Sequence, residues 1–129
     1  MAVPPAVVTE VTPELADLSS HAWLVEIQPR SRTTVEALRK TRPALHAGEA
    51  EAIALAIEIG CPLIIDERLG SRAAAEQRVP KTGVLGLLVA AHREGLLSEI
   101  ELVLDELMRV GFRASPQLID HILHLADEA

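Results

Sequence analysis

Aromatic side chains are nearly missing from this chain of 129 residues, which has one Trp, one Phe and no Tyr. A platform of aromatics on which nucleic-acid bases stack is therefore not expected. There is one cysteine, Cys61, so no internal disulfide can form. It falls between a helix stop and an apolar run, where a packed, reduced thiol is the expected state. No apolar run approaches the roughly 20 residues of a membrane span. No basic stretch precedes the apolar residues at the start, so no signal peptide is expected and the cytoplasm is the default compartment. Basic residues are outnumbered, 12 Lys and Arg against 19 Asp and Glu, for a net charge of −7. This argues against a strong non-specific grip on nucleic acid through a basic surface. It leaves open an enzyme that reaches a phosphate through metal ions held by carboxylates.

What the chain has in quantity is Leu, Ile, Val and Ala. A hydrophobic fraction of 49% with 24% charged residues is that of a globular protein, and the length suffices for one domain, residues 1–129, with a real core. Its most informative stretch runs from His46 to Arg72. Residues 50–59 are apolar on almost every side, interrupted only by Glu51 and Glu58. A helix of that kind is expected to be sandwiched inside a fold. Gly60 is the expected stop. Residues 62–65, Pro-Leu-Ile-Ile, are too few for a helix and do not alternate, which predicts a strand buried on both faces, as in a parallel sheet. Asp66 follows where such a strand reaches its carboxyl end, the edge at which α/β sheets usually place their chemistry.

Around this stretch, Pro4-Pro5 suits the first turn of a short helix bearing Val7, Val8, Glu10 and Val11. Residues 13–20 are expected as a second short helix or a loop, and 22–27 as a strand. Residues 31–40 read as an exposed helix anchored by Val35 and Leu38. Arg30, Arg32, Arg39, Lys40 and Arg42 make this the most basic part of an acidic chain: either a solvated face or a strip that meets phosphate or an acidic partner. A helix is expected over 69–77, a short strand or turn over 79–83, and a helix over 84–94 stopped by Gly95. Ser98 and Glu101 have capping-box spacing. The helix they would open is expected to bury Ile100, Val103, Leu104, Leu107 and Met108. Ser115-Pro116 provides a cap and first-turn proline for the last helix, to about residue 126. Helices interleaved with two or three short strands indicate an α/β fold with a small parallel sheet.

Three acids stand out by position: Glu10 on the first helix, Glu49 in the first turn of the buried helix, and Asp66 at the strand end. Carboxylates so placed suit Mg²⁺ or Mn²⁺, and such ions can activate a water against a phosphodiester. Each has a structural alternative. Glu49 complements a helix dipole, Glu10 is an ordinary exposed glutamate, and Asp66 caps the helix that follows. His121 and His124 share a helix face without an evident third ligand, so a surface pair is expected rather than a zinc site.

The runs Gly48-Glu49-Ala50-Glu51-Ala52-Ile53, Leu63-Ile64-Ile65-Asp66-Glu67, Arg72-Ala73-Ala74, Thr82-Gly83-Val84-Leu85-Gly86, Gly95-Leu96 and Gly111-Phe112-Arg113-Ala114-Ser115 occur in an order that resembles the small prokaryotic PIN-domain-like proteins of unassigned function. That family is related to ribonuclease toxins of the VapC type. The resemblance spans roughly residues 3–128. It implies a three-layer α/β/α sandwich around a parallel sheet, and an acidic cluster that binds Mg²⁺ or Mn²⁺ and hydrolyses RNA. It also implies a possible place as the toxin half of a toxin–antitoxin pair. Pro4 to Val11 resembles the segment bearing the family's second acid, which gives that role to Glu10. Glu49 matches the third acid and Asp66 the fourth, with Glu51 and Glu67 as weaker candidates beside them. Arg72 and Thr82 recur in the pattern and are candidates for a supporting polar role; a surface charge and a turn hydroxyl are their structural alternatives.

One departure qualifies the resemblance. Such a domain normally begins with a strand ending in its first catalytic Asp, and this sequence begins after it; Asp17 lies downstream of Glu10, in the wrong place. The expectation is an N-terminally truncated form or a start that lies upstream. The alternative function is then an inactive binding module for protein or nucleic acid. An unpaired strand edge invites another chain, so a homo-oligomer, a dimer or more, is expected.

Overall fold

The computed structural model describes residues 1–11, 21–66 and 68–127. The helix or loop expected over 13–20, with Asp17, lies outside them. The chain divides into two compact units, residues 1–82 and 83–129.

The first unit opens with β1 (Ala2–Val3) and α1 (Pro5–Val11), followed by β2 (Val25–Glu26), α2 (Arg32–Thr41) and α3 (Ala47–Ile59). It closes with β3 (Leu63–Ile64), α4 (Arg68–Glu76) and β4 (Lys81–Thr82). The strands form two parallel pairs. In one, Ala2 stands opposite Val25 and Val3 opposite Glu26. In the other, Leu63 stands opposite Lys81 and Ile64 opposite Thr82. Strand β1 has no signature in the sequence: two residues are too short for any periodicity to register, and only the pairing with β2 defines it.

Helix α3 is the centre of this unit. Ala50, Ile53 and Ala54 are fully buried, and Leu55 and Ala56 nearly so. Small Ala residues on several sides let α1, α2 and α4 all pack against it, which is why no wet stripe is needed. Val35 and Leu38 of α2, Leu45, Leu63, and Ala73 and Ala74 of α4 complete the core around Ile53. Val35, Leu45 and Ile53 are its largest fully buried side chains, each stabilising the fold by roughly 1.5–3 kcal/mol relative to exposure. Gly60 ends α3 in the left-handed conformation, φ 63°, as the sequence predicts.

Strand β3 corrects one expectation. Leu63 is buried, but Ile64 is 42% exposed. Burial on both faces requires elements on both sides of the strand, and the four apolar letters cannot reveal whether both are present.

The second unit consists of α5 (Val84–Arg93), α6 (Ile100–Arg109) and α7 (Pro116–Asp127). Its core is Leu85 and Val89 of α5, Ile100 and Leu104 of α6, and Ile122 and Ala126 of α7. His92 Nδ1 lies 2.7 Å from the Leu97 carbonyl oxygen, bracing the turn between α5 and α6. The Ser115 hydroxyl accepts the N–H of Leu118 at 3.2 Å, the expected cap of α7. The capping box at Ser98 does not form. The cap position of α6 is Glu99, with no side-chain cap. That shift puts Glu101 at the second helical position, where its side chain is out of register for the reciprocal bond. Met108 is 41% exposed rather than buried, because Ile100 and Leu104 already define the inward stripe of α6.

Candidate acidic site at the head of helix α3

The first turn of α3 leaves backbone N–H groups without helical acceptors, and their dipole favours negative charge. Two of the three candidate acids meet there. Glu49, in that turn, folds back so that its Oε1 accepts the N–H of His46 at 3.1 Å. The His46 Nδ1 lies 3.3 Å from the same oxygen. Glu10 arrives from α1, and its Oε1 accepts the N–H of Gly48 at 3.1 Å. The approach requires glycine: a Cβ on Gly48 would stand 2.7 Å from both Glu10 carboxylate oxygens.

The second oxygen of Glu49 is in a different state. Glu49 Oε2 is buried and has no hydrogen-bond partner among the described residues. It faces α4 at Gly70, where a Cβ would lie 2.6 Å from it and 2.5 Å from Ile65 Cδ1. A buried carboxylate oxygen without a donor carries an uncompensated desolvation cost. An oxygen-loving cation offsets that cost directly, so this donor fits a hard divalent ion.

Asp66 lies two residues past the end of β3 and is exposed. Among the described residues, no three His, Cys, Asp or Glu side chains gather into a group that could hold a metal ion. Glu10 and Glu49 therefore share a helix turn, while Asp66 is not gathered with them into such a group. Glu67 lies outside the described residues. Arg72 is exposed on α4, the position of a surface charge. Thr82 is half-buried in β4, and its carbonyl accepts the N–H of Ile65 at 2.9 Å.

Glu51 has another task. It is 7% exposed. Its Oε1 accepts the N–H of Ala6 at 3.1 Å, in the first turn of α1. Its Oε2 takes Arg32 Nη1 at 3.2 Å. One carboxylate thus ties α1 and α2 to α3, and so holds the helix that carries Glu10. Glu58, on the far end of α3, does the same for the entry to α2. Its two oxygens accept the N–H groups of Arg30 at 2.9 Å and Ser31 at 2.8 Å. The Arg30 N–H first, then that of Ser31, hold the Glu58 carboxyl below its ordinary range.

Sequence reasoning missed the two glycines. Gly70 carried a usable signal, a glycine inside an expected helix, which often marks a close approach. In the sequence Gly48 stands out only within a motif, and Arg32 only within a basic strip.

Residues 1–128 match the DUF3368 family model, described as PIN domain. The chain belongs to this PIN-domain family, and its helices and small parallel sheets agree with the α/β fold expected of it. No curated protein and no solved structure matches it. PIN domains generally use divalent metals, and nuclease activity is the activity that the family suggests. Among the described residues no helix is long and apolar enough to cross a membrane.

Proposed function

We propose that the protein is a Mg²⁺- or Mn²⁺-dependent endoribonuclease with its acidic site at the head of α3. The observation that carries this proposal is Glu49 Oε2, buried and without a donor beside Gly70. Glu49 and Glu10 would hold the ion, with Asp66 as the further acid, and Glu51, Glu67, Arg72 and Thr82 in supporting places. When bound, a divalent ion supplies positive charge toward a phosphodiester and activates water. The chain's own contribution is to fix the carboxylates. The His46 N–H holds one oxygen of Glu49, and the Gly48 N–H orients Glu10. Glu51 anchors α1 so that Glu10 stays over α3. RNA is the proposed substrate and the cytoplasm the proposed compartment. The proposed partners are an antitoxin protein and a second copy of this chain.

A second reading has its own observation. Glu10 and one oxygen of Glu49 already serve as acceptors for helix N–H groups, and no group of three metal-holding side chains forms among the described residues. This favours a PIN-like module that binds protein or nucleic acid without cleaving it. Calorimetric titration with Mn²⁺, followed by a cleavage assay on RNA, separates the two. The nuclease proposal expects metal binding that Glu49→Gln abolishes and cleavage that Asp66→Ala lowers. Absence of Mn²⁺ binding by the wild-type chain overturns it in favour of the module. Cleavage that Asp66→Ala leaves unaltered overturns the assignment of Asp66.

A further inference from the structure

Residues 30–42 contain five cations, Arg30, Arg32, Arg39, Lys40 and Arg42, against one acid, Glu36. The segment therefore carries +4, and taking +4 from the total of −7 leaves −11 for the rest of the chain. So local a reversal of sign sets up a field that the acidic total conceals. Most of the segment is α2, and its cations are of two kinds. Arg32 pairs with Glu51, and Arg42 forms a two-pronged ion pair with Glu76 on α4. Arg39 and Lys40 are exposed and have no acidic partner among the described residues. Their place in the last turn of α2 complements the helix dipole, but that leaves their donors unfilled.

A groove of ≈ 290 Å³ lies on the same helix, lined by Thr33, Ala37 and Thr41 of α2, by Arg42 at its C-cap, and by Glu76 and Gln77; Arg39 and Lys40 are outside its lining. Thr33, Ala37 and Thr41 succeed one another by one helical turn and form a stripe. Lys40 stands three residues after Ala37 and seven after Thr33, so it borders the same stripe. The other end of α2 is tied by Arg32 to Glu51, two residues beyond Glu49. The strip thus starts at the first turns of α3, where the acidic site lies. Its exposed groups are the Lys40 ammonium, the Arg39 guanidinium and the hydroxyls of Thr33 and Thr41, while the one carboxylate in the groove, Glu76, is neutralised by Arg42. Proteins hold the sugar–phosphate backbone with these groups, and backbone contacts position a strand without reading its bases.

We infer that the groove between α2 and α4, with Lys40 on its rim and Arg39 beyond, is the surface on which the backbone of single-stranded RNA lies on its way to the α3 site. For its substrate class this rests on the ribonuclease reading. A carboxylate-rich peptide would satisfy Lys40 and Arg39, but it makes less use of hydroxyls spaced along the groove. The near-absence of aromatics agrees with a track that grips phosphates rather than stacks bases.

The test is fluorescence anisotropy of a labelled oligouridine with the full chain, in a chelating buffer so that binding is read apart from metal and cleavage. Wild-type binding should weaken with salt, and Lys40→Gln should reduce the slope of log K against log salt by about 0.7, one single-strand phosphate contact. Lys40→Arg should restore the slope, and Glu36→Gln should tighten binding. A Lys40→Gln, Arg39→Gln double variant with an unchanged slope overturns the inference, as does wild-type binding that ignores salt or is absent. Displacement of the oligouridine by poly-glutamate at equal charge assigns the strip to acidic proteins instead. Each of these failures leaves the nuclease reading to be judged by Mn²⁺-dependent cleavage, which uses none of these variants.

Discussion

Glu10 and Gly48 meet across two helices, with the glutamate Oε1 3.1 Å from the Gly48 nitrogen and no room at Gly48 for a Cβ. A Gly48→Ala substitution isolates this contact. Alanine gains roughly 0.5–1 kcal/mol of helix propensity, and losing the Glu10 hydrogen bond costs about as much. The Glu10 carboxylate ends a flexible side chain and can swing away. The expected outcome is a midpoint of thermal unfolding close to wild type, with weakened Mn²⁺ binding by calorimetry. A large loss of stability would mean that Glu10 cannot move and that the contact is structural.

For Glu49, charge and shape can be separated. Glu49→Gln keeps an acceptor for the His46 N–H and removes a buried negative charge. Urea unfolding should show stability equal to or above wild type. Glu49→Ala also removes the acceptor, and it should cost about 0.5–2 kcal/mol, the range for lost caps. If Glu49→Gln proves the less stable of the two, the unpartnered oxygen is not a source of strain.

Glu51 should matter more to folding than either candidate ligand. Glu51→Ala leaves the Ala6 N–H and the Arg32 guanidinium without their acceptor. The expected loss is about 1–3 kcal/mol, well below that of a fully buried pair, since the Arg32 side chain is 52% exposed. Arg32→Ala should cost under about 1 kcal/mol, as for other solvent-accessible pairs. Denaturant midpoints of the two variants check this order, and the reverse order would show that Arg32, not Glu51, fastens the helices.

The pH dependence follows from Glu58. Its folded carboxyl lies below the ordinary 4.5, chiefly through the Arg30 N–H and then the Ser31 N–H. A carboxyl depressed by folding stabilises the protein fully above its unfolded value, and that contribution is lost as pH falls through the folded value. The loss therefore begins near 4.5 and continues below it. Glu58→Gln should flatten this part of the acid limb in a series of melting curves and leave the limb above pH ~6 unchanged. An acid limb identical to wild type would show that the carboxylate's charge contributes nothing at the entry to α2.

Much of the architecture could be read from local pattern. The apolar run ahead of Gly60 gives α3, Pro4-Pro5 gives the start of α1, and Ser115-Pro116 gives the start of α7. These features act within a few residues, through caps, φ restriction and apolar periodicity, so they are written in sequence. Two-residue strands are not, because β1 exists only through its register with β2. Nor could Ser98 be rejected as a cap, since one residue of shift in the start of α6 decides it.

The same division holds for the candidate site. The sequence by itself determined that acids stand at Glu10, Glu49 and Asp66, and that Glu49 belongs to a helix N-terminus. Only the tertiary structure decided which of them meet. It brings Glu10 across from α1 to the Gly48 N–H, and it spends Glu51 on Ala6 and Arg32. It also leaves Glu49 Oε2 buried without a donor against Gly70. The reason is physical: a carboxylate's role is set by which donors reach it and whether water does. Both depend on the packing of α1, α2 and α4 around α3, across as many as 45 residues of chain.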